Sequence, residues 1–367
     1  MSEARLVLRS MSEVVAAVPH FLGVHPQESL VVVPEVTGDT PVARVNLPRD
    51  AAQSAAVAEG LARAYAGTGV GVVLLAYTEH SGLARQVCET VRERLEPAVA
   101  VIGAVAVDGV DWVRLDGPHR GQVSQSERDL MTAEFLLRGR PTPFASPEQL
   151  RQAYASSHPI PQEHMDIGAD RAATAARGGP AGHAEREWIT ATLDRAAAGH
   201  TVLPDPDAAR LISDVQHVPL RDHAWASMER DTASRHAELW RDLLTRSPDD
   251  PTSPASPDSP KSPVPAVAPV ASLTAFAHWL DGDAVKARVA LDRIPPGTSY
   301  QMARLVNLAL EVGMNPRAWT PRDDFAGSQP DESLREESQR RPSVGQGQAI
   351  REPPKPPDGC GRDGPPR

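Results

Sequence analysis

The run LVVV, Leu30 to Val33, constrains the fold of this 367-residue chain more than any other stretch. Four apolar residues in a row, three of them β-branched, suit a strand covered on both faces. Ahead of it, VVAAVPHFLG (Val14 to Gly23) carries the apolar spacing of an amphipathic helix, with Gly23 able to take the left-handed conformation that ends helices. His25–Pro26 then shapes a turn, so the order reads helix, turn, strand. Beyond PEVTGDTP, ARVNL alternates Ala43, Val45 and Leu47 against Arg44 and Asn46, the period of a second strand.

The rest of residues 1–145 continues the alternation. A helix with Val57, Leu61, Ala64 and Tyr65 on one face leads to the strand GVVLLAY. A second helix aligns Leu83, Val87, Val91 and Leu95, and AVAVIGAVAV then runs into VDGVDWVRL. Asp108–Gly109 between these apolar alternations signals a hairpin, since both residue types tolerate positive φ. A helix over about Glu127 to Arg138, closed by Gly139, completes the pattern. The order predicts an α/β domain, a mixed sheet with packed helices, and an α+β chain overall, because an all-helical region follows.

From Ser146 the strand signals stop. Ser146–Pro147–Glu148–Gln149 joins a capping serine, a proline at the first helical position and a glutamine able to reach back. Further helices are expected around Trp188 to Ala196, after Asp205–Pro206, and as one long helix from Leu220 to Arg246. HPIPQEHMDIGAD and ARGGPAG read as loops.

Proline, 36 residues in all, draws the boundaries. Ser-Pro recurs every third residue from Ser253 to Pro263, the period of polyproline II, and marks an extended linker. Beyond it, SLTAFAHWLDGDAVKARVALDRIPP and SYQMARLVNLALEVG read as three helices. Trp279–Leu280 before Gly282, then Ala287, Ala290 and Leu291 before a proline break, looks like a tetratricopeptide-type hairpin. Past Arg322 too few apolar residues remain to offset chain entropy, so disorder is expected. The expected organisation is a sheet domain over 1–145, a helical region over 146–247, a linker over 248–270, a tetratricopeptide-like hairpin with an extra helix over 271–320, and a tail over 321–367.

A formal charge of -10, with arginine densest at Arg138 and Arg140, argues against nucleic acid as a partner. Cys88 and Cys360 are too few for a disulfide framework or a cysteine-based zinc site. LVLRS is too short and charged for a secretory segment, and the longest apolar runs fall below the roughly 18 residues of a membrane span. The expectation is a cytoplasmic protein whose partner is a protein or a small molecule, with neither nucleic acid nor membrane involved. No cofactor is implied, and no GxxxxGK[ST], GxSxG or HExxH pattern points to a catalytic or metal set. Gly67–Thr68–Gly69–Val70–Gly71 lies between a helix and a strand, the reverse of a phosphate loop's order, and reads as a turn.

The chemistry-bearing candidates gather near LVVV. His20 and His25, with Glu28, form the tightest histidine group of this half, and a turn separates the two imidazoles. They suit a ligand site, a metal site or a histidine that satisfies a helix end. Ser29 and Arg44 extend the candidate ligand-binding set, Arg44 as an anion contact or a half-exposed strand residue. Arg221 and Asp222 precede Trp225; Asp222 is expected to cap the long helix and Arg221 to pair locally, with ligand contact the other reading. His158, His164 and Asp166 form a looser cluster. Cys88 lies on an apolar flank, and the tryptophans at 188, 225, 240 and 279 fall on apolar helix faces, so all five read as core.

By these residues the chain resembles an actinobacterial family, domain of unknown function 4192. The likeness rests on LRSMSEVVAAVPHFLGVHPQESLVVV (Leu8 to Val33), ARVNLP (Ala43 to Pro48), VQHVPLRDHAW (Val215 to Trp225) and AFAHWLDGDAVKARVALDR (Ala275 to Arg293). It implies a fold and a bacterial cytosol, and no activity. Members often carry a cysteine-bearing insertion after the hairpin; DWVRLDGPHRGQVSQ here has none, so no metal role carries over.

Two functional readings follow. The first is a non-catalytic ligand- or protein-binding scaffold, suggested by the helical hairpin, the Ser-Pro linker and the tail. The second is an enzyme or small-metabolite-binding protein with its site at the strand ends near His25 and Arg44.

Overall fold

The computed structural model describes residues 6–36, 40, 42–247 and 264–319, all within one compact unit. The Ser-Pro repeats and the tail beyond Trp319 lie outside the described residues. The first part runs α1 (Met11–Leu22), β1 (Ser29–Pro34), β2 (Ala43–Asn46), α2 (Ala51–Tyr65), β3 (Val72–Tyr77), α3 (Ser81–Leu95), β4 (Val101–Asp108), β5 (Asp111–Arg114), β6 (Arg120–Gln122) and α4 (Gln125–Leu137). The strands make one six-stranded sheet in the order β2-β1-β3-β4-β5-β6. Only β3 and β4 are parallel, as their crossover helix α3 requires; the other pairs are antiparallel. The mixed sheet and α+β class expected from the sequence are therefore present.

Residue alternation sorts the sheet onto two cores. Leu30 and Val32 of β1 join Leu74 and Ala76 of β3 on the face covered by α2 and α3. Val31, Val33, Leu75 and Tyr77 point the other way, against α1, α4 and the helices that follow. Every β1 residue is buried, which is why this strand reads as a continuous apolar run. At the β4–β5 hairpin only Gly109 has positive φ (59°), and Asp108 pairs with Asp111; the turn thus falls one residue later than expected.

The second part comprises α5 (Pro147–Gln152), α6 (Gln162–Ala176), α7 (Gly179–Ala197), α8 (Asp205–Asp214), α9 (Val218–Ala226), α10 (Ala233–Arg246), α11 (Val267–Leu280), α12 (Ala284–Leu291) and α13 (Gln301–Glu311). Every residue of α11 is buried, so this helix is apolar on all sides and α10, α12 and α13 pack around it. Its Ser272 and Thr274 hydroxyls donate to Ala268 O (2.7 Å) and Val270 O (2.8 Å), which lets them sit in the core.

Three sequence expectations fail here. HPIPQEHMDIGAD is not a loop: α6 starts at Gln162, directly after Pro161. Gly168 lies where α6 meets α8, and a Cβ there would lie 2.8 Å from Ala209 O. The long helix from Leu220 to Arg246 is two helices, α9 and α10, joined through a 3₁₀ turn at Arg230–Thr232. Ala224 and Ala233 are both buried, and nine residues at about 100° each would put them on opposite faces of one straight helix. Nor does Asp222 cap a helix: α9 begins earlier, at Val218 beside Pro219, with His217 as its N-cap.

Candidate functional site

Because β1 runs antiparallel to β3 and β3 parallel to β4, the start of β1 shares one sheet end with the C-terminal ends of β3 and β4. In α/β sheets that end is where ligands bind. The approach to it is rigidly made. Gly23 closes α1 with φ 69°, and a Cβ there would lie 3.3 Å from both Cε and Nζ of Lys286 on α12. The chain then pairs with a distant segment: His25 N donates to Phe144 O (2.9 Å) and Phe144 N to Gly23 O (2.9 Å).

Glu28 follows with φ 40°, the only positive φ at a non-glycine position among the described residues. Strain of this kind persists where surrounding bonds over-determine it. Here Leu47 N donates to Glu28 O (2.8 Å), and Thr78 Oγ1 donates to Glu28 Oε1 (2.7 Å). Ser29 is fully buried; its hydroxyl donates to Gln27 O (2.5 Å) and accepts from Arg44 Nε (3.0 Å).

Arg44 is the unusual member. It lies half-buried on edge strand β2, bound through Nε to the neutral Ser29 hydroxyl. Among the described residues it makes no ion pair. Burial, and then the neighbouring Arg151 guanidinium on α5, lower its pKa. Arg151 itself pairs with Glu148. His25 reaches solvent, but partial desolvation and then the Arg128 guanidinium lower its pKa, so the imidazole is neutral at pH 7. His20 is lowered by burial and by His25; it stacks on Phe135 at 4.8 Å, and its Nδ1 is buried without a partner among the described residues.

The other candidates go elsewhere. Arg221 donates to Asp222 Oδ1 (2.9 and 2.6 Å) and to the Tyr300 hydroxyl (2.7 Å), a linkage between α9 and the N-cap residue of α13 that shares no bonding partner with Arg44 or His25. His158 bonds Ser157 and lines a cavity of about 300 Å³ with Asp205, Asp242 and Arg246, while His164 and Asp166 lie on α6. None of the strand-end residues lines that cavity. Among the described residues no group of three or more His, Cys, Asp or Glu side chains could hold a metal ion. Cys88 is buried, and burial pushes its thiol up to about 12, so it is an unreactive core residue.

Sequence reasoning missed Thr78 and Arg151, which enter only through long-range packing. It also missed a buried acid network. Glu185 is 2% exposed and accepts from Arg210 (Nε 2.5 Å, Nη2 3.0 Å) and Arg171 (Nε 2.9 Å). Asp214, wholly buried, faces Glu185. Hydrogen bonds from the two arginines hold Glu185 ionised against its burial. Desolvation and the Glu185 charge drive Asp214 far above the usual carboxylate range, so it keeps its proton.

The match to known families agrees with the stretches already singled out. A family model described as a domain of unknown function (DUF4192) covers residues 12–317. The chain belongs to the DUF4192 family. No curated protein and no solved structure matches it. In this DUF4192 member the match spans the sheet, the strand-end turn and the helices through α13, so the strand-end site lies inside the family's common region.

Proposed function

We propose that this DUF4192 protein is a non-catalytic binding protein that takes an anionic group, a phosphate or a carboxylate, at the Arg44 end of the sheet. One observation carries the reading: a half-buried guanidinium bound to a neutral hydroxyl, with a second guanidinium close enough to lower its pKa. Removing a cation from water without a counter-charge is costly, and a bound anion offsets that cost. The packed α11–α12 pair supports a tetratricopeptide-like, protein-facing role for the other end of the chain.

The enzyme reading draws on the same strand end. Its support is His25, neutral at pH 7 as a general base must be, beside the strained Glu28.

The test is a titration of inorganic phosphate, then acetate, into the full chain, read by thermal unfolding. An anion at roughly 100 times its Kd adds about 2.7 kcal/mol of stability. Arg44→Gln removes the shift, and Arg221→Gln, whose guanidinium is already satisfied by Asp222 and Tyr300, retains it. If neither anion moves the transition, or if Arg44→Gln responds as the parent does, the anion site is wrong.

A further inference from the structure

Helix α13 carries two apolar stripes, and the fold uses one. Met302, Val306 and Ala309 are buried, on the side that packs against α11. Leu305, Leu308 and Val312, spaced three and four residues apart, stay 46%, 53% and 43% exposed, and Met314 just beyond them is 48% exposed. Leu305, Leu308 and Val312 make a contiguous ridge along an outer face of the helix and its cap. At its far end the ridge is braced, because Gly313 sits so close to α2 that a Cβ there would be 2.9 Å from the Ala64 Cβ. An exposed apolar ridge of a few hundred Å² on a rigid helix marks a contact surface.

The flank of the ridge says what it contacts. Arg304 and Glu311 are seven residues apart, two helical turns, and therefore edge the ridge on the same side. Among the described residues neither forms an ion pair; the Glu311 carboxylate accepts only from Asn307 Nδ2. A two-fold axis passing between them lays α13 antiparallel on its copy. It sets Arg304 opposite the partner's Glu311, twice, while the leucines meet in the centre.

We infer that α13 is the self-association surface of this protein, a two-fold helix pair closed by Leu305, Leu308 and Val312 and registered by Arg304 and Glu311. With its polar rim this pairing covers on the order of 1,000 Å², the low end of specific interfaces, so the dimer forms and dissolves with concentration. The surface is independent of the Arg44 site: it shares no residue with it and stands whether or not an anion binds there.

Sedimentation velocity of the full chain over a concentration series tests this. The parent shows a monomer–dimer equilibrium, and Leu308→Asp, an exposed position that leaves the thermal transition unchanged, weakens it at least tenfold. Arg304→Glu and Glu311→Arg each weaken self-association to a similar degree. An equimolar mixture of these two variants recovers it, because each supplies the charge the other needs across the two-fold. A chain that stays monomeric at its highest soluble concentration overturns the proposal, as does a mixture no better than its components. So does a photo-cross-linker at position 308 that captures residues 320–367 of its own chain, which would assign the ridge to that segment.

Discussion

Replacing Asp214 by asparagine should change how stability depends on pH. Asp214 is fully buried on α8 against Glu185, and Arg171 and Arg210 keep Glu185 ionised. The native pair therefore binds one proton, on Asp214, through neutral pH. In the unfolded chain an aspartate titrates near 3.9, so above about pH 5 the native state holds one proton more than the unfolded state. Its pKa is raised on folding, and stability must fall as pH rises, by about 1.4 kcal/mol per unit. His20, His25, His217, His223, His236 and His278 act in the opposite sense, since burial lowers each of them. Their contribution fades over about one pH unit above the unfolded histidine value of about 6.5. The histidines are common to parent and variant, so in the difference between the two proteins the aspartate slope remains and amounts to roughly 2 kcal/mol from pH 6.5 to 8. The side-chain amide that Asp214→Asn introduces is neutral, as the protonated acid is, but has no proton to lose. Urea unfolding of both proteins at pH 6.5 and 8 should show the parent losing about 2 kcal/mol relative to Asp214→Asn. Parallel pH dependence would mean that Asp214 is not protonated in the fold, and the reasoning fails.

Two further outcomes test the packing. The hydrogen bond from Arg114, with a further one from Arg92, holds the Asp116 carboxyl at about 2 against the opposing effect of burial, tying β5 to α3. That stabilisation is complete above about pH 5 and is lost as pH falls through 2, so Asp116→Asn should cost about 1 kcal/mol at pH 7 after solvent screening, and only a small fraction of that at pH 2; chemical denaturation at the two pH values decides. Gly168→Ala drives a methyl to 2.8 Å from Ala209 O and 2.7 Å from Ser213 Oγ, and should lower stability by about 1–3 kcal/mol. A variant that melts with the parent would show that α6 and α8 are not closely packed in solution.

How much of the site was legible in the sequence depends on how local each signal was. Gly23, Pro26, Ser29 and the Ser146 cap act within a few residues, and each does in the fold what its type allows. Thr78 and Arg151 gave no local signal. Thr78 meets Glu28 across 50 positions and Arg151 comes to Arg44 from a separate helix, so only closure of the chain pairs them. The Glu185–Asp214 pair was hidden for a related reason. Singly, each reads as an acidic residue on a helix, and Asp214 keeps its proton only once desolvation and the charge of Glu185 surround it.

The sequence alone determined the two-sided burial of β1, the alternation of strand and helix around it, and the shift to an all-helical region after Ser146. Those features follow from apolar periodicity, which is a property of neighbours along the chain. Tertiary structure decided where α9 stops and α10 begins, because only packing required Ala224 and Ala233 to face one core. It decided that Gly168 belongs to a helix, because α8 had to approach it. It also decided the electrostatics, since charges on residues far apart in sequence, such as Arg44 and Arg151, interact only when folding brings them together and removes water between them.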